Sequence, residues 1–301
     1  MFTEIFNKKL LFVSGKGGTG KSVVSALLAL AAARSGKRVL LAESHAFDKL
    51  SPLFGKAPIG HHEVPVAENL SCINLDPKRC FAEYVILHLG MEALYERVFR
   101  NHLVTSLLDA IPGLDETMLL GRLFYACELS HSTKYDLVIF DSPASGHFVT
   151  LLSTLDAIIK TGLAGPLVKE VRRVKEYHSD RTKCGVVLVS LPEELVMNET
   201  LDFLPRFEKS LSIGLATVIL NRTFKVENGN YPPAIREYVE RKDQQTVTAR
   251  KELLSFLTER RLCKTAYGFP ELEMVPEPLT QEKLASLLPS IERYEIATDP
   301  S

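Results

Sequence analysis

The stretch from Val13 to Ser25, VSGKGGTGKSVVS, holds the residues whose types and spacing say most about chemistry. Gly15, Gly20, Lys21 and Ser22 satisfy G-x-x-x-x-G-K-[ST], directly after an apolar run and directly before an Ala/Leu-rich one. Glycines in such a loop let backbone N–H groups converge on phosphate oxygens, and the positive end of the next helix favours the anion. The pattern therefore predicts a phosphate-binding loop rather than a chance Gly-rich turn.

The same pattern assigns a role to each polar side chain of the loop. Lys21 is expected to touch the β- and γ-phosphates, and Ser22 to ligate Mg²⁺. The loop residues that we expect to contact the nucleotide are Gly15, Gly17, Gly18, Thr19, Gly20, Lys21, Ser22 and Val23.

A carboxylate that helps to hold the metal is expected at the end of a later buried strand. The run YDLVIFD supplies it in Asp141, whereas Asp136 begins the same run and is expected at a solvated edge. Ligands of open α/β sheets bind at the carboxyl ends of the strands, so we favour the metal role for Asp141 over a helix N-cap.

These residues have to be positioned by a sheet, and short Val/Ile/Leu runs recur along the chain between segments of helical periodicity. This alternation predicts an α/β fold with a doubly wound, mostly parallel sheet of about seven or eight strands, flanked by helices as in P-loop NTPases. The predicted strands are Leu10–Ser14, Arg38–Ala42, Leu70–Leu75, Asp136–Asp141, Cys184–Ser190, Ala216–Asn221 and Leu272–Pro276.

Two segments between the strands are too long for plain crossovers. Residues 77–133 and 148–182 have helical apolar spacing, and we expect them to form a helical subdomain inserted into a single domain that spans residues 1–301. Their apolar side chains would line either the core of that subdomain, which we favour, or a small apolar groove.

Composition limits the classes of partner. The 36 basic and 37 acidic side chains are well mixed and give a formal net charge of -1, so no long-range field favours nucleic acid or an anionic membrane. No apolar run approaches the roughly 20 residues that a transmembrane helix needs. The five cysteines are scattered and form no CxxC pair, so we expect reduced thiols and a cytoplasmic location.

The loop GKGGTGKS also resembles the deviant phosphate loop of a group of ATPases that includes the ArsA type. The likeness extends to DSPASGH at residues 141–147, PGLDE at 112–116, LPEELVMNETLDFL at 191–204 and ILNR at 219–222, and so spans nearly the whole chain. It implies a Mg²⁺-dependent, dimeric ATPase that uses ATP binding to switch conformation. It also implies that Lys16 reaches the partner's phosphates in trans, whereas from the residue alone we would expect a solvent-facing lysine.

The resemblance implies three further nucleotide contacts. Asn221 stands where the family has an adenine-contacting Asn, Pro276 is expected to line the same base pocket, and Glu193 is counted with them.

The sequence departs from the resembled pattern after the second predicted strand. Better-known members have an Asp that positions the attacking water, and the gap-free alignment of VLLAESHAFD puts His45 there. A neutral imidazole is able to orient a water, but it carries no fixed negative charge. Either His45 or one of the nearby carboxylates Glu43 and Asp48 substitutes, or the chain binds ATP and hydrolyses it slowly or not at all.

Other departures from the resembled pattern concern the substrate or client protein of the ATPase. The zinc CxxC and the metalloid-binding cysteine cluster of some members are missing, and the chain has 5 methionines in place of a Met-rich client groove. Three functions stay open: a homodimeric ATPase, a catalytically weak regulatory subunit that forms a heterodimer with an active relative, and a carrier of hydrophobic membrane-protein segments.

Overall fold

The computed structural model describes residues 2–89, 111–128, 134–160, 166–223, 233–263, 265–270 and 281–295. These residues contain one sheet of nine strands. The strands are β1 (Leu10–Gly15), β2 (Val39–Glu43), β3 (Val64–Ala67), β4 (Leu70–Asn74), β5 (Leu137–Asp141), β6 (Cys184–Ser190), β7 (Leu215–Thr223), β8 (Thr265–Pro270) and β9 (Glu292–Glu295).

The strand order is β3-β4-β2-β5-β1-β6-β7-β8-β9. All neighbours pair in parallel except β3 with β4 and β8 with β9, which are antiparallel pairs at the two edges. The predicted fold class, a mostly parallel sheet flanked by helices, is therefore confirmed. β1 lies at the centre between β5 and β6, so the loop that follows it opens at the middle of the sheet's carboxyl edge.

Helices cover the sheet on both faces, and its central strands are buried along their whole length. In β1, Leu11 and Val13 join the core cluster that contains α2, whereas Leu10 and Phe12 join the cluster on the opposite face. All six residues of β1 are buried. A continuous apolar run of this kind is what a parallel strand between two helical layers requires.

Helices follow most strands and form these two layers. The described helices are α1 (Thr3–Phe6), α2 (Lys21–Arg34), α3 (Leu50–Phe54), α4 (Pro77–Leu89), α5 (Leu114–Glu128), α6 (Ser145–Lys160), α7 (Pro166–Ser179), α8 (Glu194–Ser210), α9 (Pro233–Arg260) and α10 (Gln281–Ser286). Within the described ranges, no helix combines the length and the apolar character that a bilayer crossing needs.

The described parts of the two long segments between strands are mostly helical. They supply α4, α5, α6 and α7, and residues such as Phe124 and Phe148 pack with Phe12 in one core cluster on the sheet. That these segments form a subdomain of their own stays a prediction.

Three strands were not predicted from the sequence. β3 and β9 are four-residue edge strands with little apolar alternation, and β8 lies at Thr265–Pro270, just before the predicted strand Leu272–Pro276. That predicted strand falls on residues 271–280, outside the described part of the chain.

Candidate functional site

The loop between β1 and α2 approaches neighbouring strands too closely for larger residues at two glycines. Gly20 has a φ of 85°, and a Cβ there would lie 2.4 Å from Nδ2 of Asn221. A Cβ on Gly15 would lie 2.2 Å from the carbonyl oxygen of Val189 on β6. Apart from each glycine and its two chain neighbours, no described residue has an atom within 4 Å of a Cβ built on Gly17 or Gly18, so the backbone there has room for a ligand.

Hydrogen bonds hold this loop in a closed curve. The Lys21 ammonium donates to the carbonyl oxygen of Lys16 at 3.0 Å, and the Thr19 hydroxyl donates to the same oxygen at 2.9 Å. The Asn221 amide on β7 donates to the carbonyl oxygen of Thr19 at 2.8 Å. Burial lowers the pKa of Lys21, and the nearby Asp141 carboxylate opposes that shift. These hydrogen bonds fix the curve of the loop.

Asp141 ends β5 directly beneath the first turn of α2. Ser22 Oγ donates to its Oδ2 at 2.6 Å, and Ser25 Oγ donates to its Oδ1 at 3.2 Å. The carboxylate is almost completely buried, and burial raises its pKa although the Ser22 hydrogen bond acts in the opposite direction. A hydroxyl and a carboxylate side by side form an oxygen donor set that suits Mg²⁺.

Lys16 points away from the loop towards α8. Its Nζ lies 2.5 Å from Oε1 of Glu199, and both side chains are between a third and a half exposed. The pair borders a cavity of about 390 Å³ beside the loop. Lining residues of this cavity include Gly15, Lys16, Ser145, Gly146, Glu199 and Arg206.

His45 follows the carboxyl end of β2 and faces Asp141. Its Nε2 lies 3.9 Å from Oδ2 of Asp141. Asn74, at the end of β4, fixes the backbone of His45 from both sides: the His45 N–H donates to its Oδ1 at 3.1 Å, and its Nδ2 donates to the His45 carbonyl at 3.0 Å. Burial lowers the pKa of His45, with the Lys49 ammonium adding to the effect, so the neutral imidazole is favoured.

The two carboxylates considered as substitutes for His45 have different surroundings. Asp48 accepts N–H donors from Leu50, Ser51 and Ile59 at 2.6 to 2.9 Å, and its carboxylate also shares a side-chain hydrogen bond with Glu43. Glu43 is fully buried, and burial raises its pKa to about 8. It is therefore a mostly protonated acid at neutral pH, and its carboxyl accepts the Lys49 N–H at 3.1 Å.

The remaining predicted contacts lie around this centre. Val23 is half-buried and packs against the core cluster of α2, and Glu193 is exposed immediately before α8. Pro276 lies outside the described residues. The nucleotide-binding roles of all these residues stay predictions.

Three partners of the predicted residues were not anticipated from the sequence. Ser25 lies three residues after Ser22, and this spacing places both side chains on one face of a helix. The contact of Ser25 with Asp141 was therefore predictable from the sequence. Asn74 and Glu199 reach the site from β4 and α8, and only the fold brings them there.

Comparison with known proteins agrees with this arrangement. Residues 8–164 match the ArsA_ATPase family, described as anion-transporting ATPase. ATPase BagA of Mycobacterium tuberculosis is 28% identical over 223 residues, which cover 71% of this chain and 65% of that protein. ATPase GET3 of Kluyveromyces lactis is 27% identical over 227 residues, covering 63% and 65% respectively. ATPase ASNA1 homolog 1 of Paramecium tetraurelia is 33% identical over 148 residues, covering 48% and 43%.

The chain spans less than two thirds of the length of each of these curated relatives. The family match nevertheless includes the phosphate loop, β2 with His45, and β5 with Asp141. It covers more than half of the chain, and the chain belongs to the ArsA-type ATPase family.

Proposed function

We infer that this protein binds MgATP at the loop after β1 and hydrolyses it, and that it works as a dimer whose conformation depends on the bound nucleotide. The observation that carries the inference is the hydrogen bond of 2.6 Å between Ser22 and Asp141. It joins the first turn of α2 to the end of β5, at the point where a phosphate-bound cation would be held.

The residues present fit both ATP and Mg²⁺. The loop backbone is open at Gly17 and Gly18, the Lys21 ammonium already lies across the loop, and α2 directs its N-terminus at the same space. The hydroxyl of Ser22 and the carboxylate of Asp141 are hard oxygen donors of the kind that Mg²⁺ prefers.

The chain's own groups would act mainly by position and charge. Lys21 would exchange the Lys16 carbonyl for phosphate oxygens and stabilise the charge that develops on the transferred phosphoryl group. Asp141 would hold the Ser22 hydroxyl in place. Mg²⁺, when bound, would neutralise phosphate charge. Asn221 would keep the loop closed through Thr19.

Lys16 is the residue that calls for a second subunit. Its ammonium is turned towards Glu199, and 36% of its side chain is exposed. We propose that Lys16 leaves Glu199 on dimerisation and contacts the phosphates bound by the partner, as a charge supplied in trans. The partner is a second copy of this chain or a related ATPase.

His45 favours a second candidate function. Its neutral imidazole lies 3.9 Å from Asp141 and has no negative charge with which to polarise a water, and Glu43 is mostly protonated. A chain with this site would bind ATP and hydrolyse it slowly, and it would act as the regulatory subunit of a heterodimer whose other member hydrolyses. Co-purification from the native host tests this candidate, because recovery of the homodimer alone would exclude it.

An apolar cavity supports a third candidate, a carrier of hydrophobic protein segments. It has about 370 Å³ and lies between α4, α5 and α7, with Leu87, Met118 and Val171 among its lining residues. Binding of a hydrophobic helical peptide in the ATP state supports this function, and equal lack of binding in the ATP and ADP states excludes it.

The experiment that tests the proposed function is ATP binding by the full chain. Lys21→Ala should reduce affinity for MgATP by at least 100-fold, because the loop would lose the ammonium that we propose contacts the phosphates. Lys56→Ala, which removes an exposed lysine beyond α3, should bind like the wild type. Retained affinity in Lys21→Ala would refute the assignment of this loop.

We also place the protein in the cytoplasm. All five cysteines are free thiols, and four of them are buried. Reduced cysteines are typical of the cytosol, and fractionation of native cells tests the location.

A further inference from the structure

Two buried carboxyl groups lie side by side at the carboxyl edge of the sheet. Glu43 ends β2 and Asp141 ends β5, and the two residues are direct partners in the parallel register of these strands. Their exposed fractions are 0% and 1%. Two carboxylates in one buried site need a compensating cation or a proton, because an uncompensated buried charge is costly. Burial raises the pKa of both groups.

His45 adds a nitrogen to this pair. One ligand atom from each of Glu43, His45 and Asp141 can be chosen so that all three lie within 4.8 Å of one another. Donor atoms around one ion, each at about 2.1 Å, lie about 3 to 4 Å apart, so small side-chain rotations would close the set. The three side chains come from two adjacent strand ends and share one face of the sheet.

The donors are supported by a second layer of hydrogen bonds, as ligands of metal ions usually are. Asp141 accepts from Ser22 and Ser25, and Glu43 accepts from the Lys49 backbone. Asn74 holds the backbone of His45 from two sides. These bonds fix where the carboxylates and the imidazole stand before an ion binds.

One ligand of the cluster, His45, borders a cavity. This polar cavity has a volume of about 470 Å³, and Ser44, Asn74 and Asp76 are among its other lining residues. One cation already approaches the imidazole: the exposed Lys49 places its ammonium 3.4 Å from His45 Nε2. An ion entering the cluster would displace that ammonium into solvent.

We propose that Glu43, His45 and Asp141 form a binding site for a divalent transition-metal ion. Mg²⁺ prefers oxygen donors and keeps most of its waters, whereas an imidazole with carboxylates suits Co²⁺, Zn²⁺, Ni²⁺ and Mn²⁺. The bound ion would take the place of the proton on Glu43, which is released to solvent, and would tie the end of β2 to the end of β5. His45 is the selective element, because it is the single nitrogen donor of the set.

The proposed metal site and the proposed nucleotide site both use Asp141, so the metal site rests on the proposed function to that extent. Its occupancy is measured without nucleotide. Failure of metal binding therefore leaves the ATP assignment standing, and failure of ATP binding leaves the metal site standing.

The experiment is titration of the full, untagged chain with Co²⁺ alone, followed by its visible absorption, with Mg²⁺ as competitor. We expect one ion per chain, an affinity at least tenfold above that for Mg²⁺, and no thiolate charge-transfer band. His45→Asn and Glu43→Gln should each lower the Co²⁺ affinity at least tenfold. Glu43→Gln should also raise the melting temperature of the metal-free protein, which shows that its loss of binding does not come from unfolding.

Two variants act as controls. His62→Asn removes an exposed histidine outside the cluster and should bind Co²⁺ like the wild type. Lys49→Met removes the competing ammonium and should bind equally well or more tightly. Equal Co²⁺ affinity in wild type and His45→Asn, or equal affinity for Co²⁺ and Mg²⁺, would overturn the proposal, as would a thiolate band that shows ligation by cysteine.

Discussion

Ser22 and Asp141 are 119 residues apart in the chain, yet Ser22 Oγ donates a hydrogen bond of 2.6 Å to Asp141 Oδ2. The contact exists because β5 pairs directly with β1 and ends beneath the first turn of α2. It couples the element that would hold phosphate to the strand that would hold the metal. The same oxygen, Oδ2, also lies 3.9 Å from Nε2 of His45.

Replacing Asp141 with Asn tests this coupling. Asn keeps the size of the side chain and removes its charge, so we expect Mg²⁺-dependent hydrolysis to fall by about 100-fold or more, while folding is retained. Asp136→Asn, immediately before the same strand, is the matched control and should hydrolyse at the wild-type rate. Nucleotide affinity of the variant is then measured with and without Mg²⁺. An equal loss of affinity in both conditions would contradict a role of Asp141 in holding the metal.

The pair formed by Lys16 and Glu199 yields a prediction about dimerisation. Lys16→Ala should leave ATP affinity within about threefold of wild type and reduce hydrolysis on the order of 1,000-fold, because a charge supplied in trans acts on the transition state. Lys209→Ala, an exposed lysine later in α8, should have no effect. Mixing Lys16→Ala with an inactive Lys21→Ala chain is the decisive measurement.

In such a mixed dimer, the Lys16→Ala chain binds ATP and the Lys21→Ala chain offers an intact Lys16. Recovery of hydrolysis on mixing is expected if Lys16 acts across the interface. No recovery, although mixed dimers form, would mean that Lys16 acts within its own chain.

Asn221 was predicted to contact adenine, and the structure gives its amide nitrogen a partner in the loop, the carbonyl of Thr19. Loss of one buried hydrogen bond that shapes the loop costs about 1 to 3 kcal/mol. We therefore expect Asn221→Ala to weaken ATP and GTP alike, by about tenfold, whereas Asn198→Ala, an exposed control, should not. A loss restricted to ATP would show that the side chain acts through the base instead.

His178 yields a prediction about pH and stability. Its ring is buried beside Phe12, neither ring nitrogen has a hydrogen-bond partner among the described residues, and burial lowers its pKa to about 3. The unfolded chain protonates this histidine below about pH 6.5, so between that pH and about 3 the unfolded state binds more protons. Stability should therefore fall with falling pH, by about 1.4 kcal/mol per pH unit from this residue.

His178→Leu removes the titrating ring and should flatten that dependence by the same slope, measured as the free energy of unfolding in urea between pH 6.5 and 5. His62→Gln removes an exposed histidine and should leave the slope unchanged. An unchanged slope in His178→Leu would mean that the buried ring finds a partner for its proton.

Sequence reasoning was most successful where local pattern and tertiary structure agree. The loop from Gly15 to Ser22 and the central strands are specified by short-range signals, glycine spacing and continuous apolar runs, and the fold follows from their alternation. The edge strands β3 and β9 were missed because four residues carry too few side chains to establish a period. Their existence depends on the neighbouring strand.

The geometry around His45 could not be predicted from the sequence, for a different reason. The alignment of VLLAESHAFD placed His45 near the phosphates, but the register that sets Glu43 beside Asp141 is a property of the assembled sheet. Asp48 appeared equivalent to Glu43 as a carboxylate, and the structure separates the two by the three backbone donors of Asp48 and the complete burial of Glu43.

The measurement that tests the central claim most directly is single-turnover ATP hydrolysis by the full chain with Mg²⁺, comparing wild type, His45→Asp and Lys21→Ala. The account predicts that wild type binds and hydrolyses ATP, that His45→Asp does so faster, and that Lys21→Ala does neither. Hydrolysis that appears only in His45→Asp would identify the chain as the regulatory partner of another ATPase. Wild type that neither binds nor hydrolyses ATP would contradict the account.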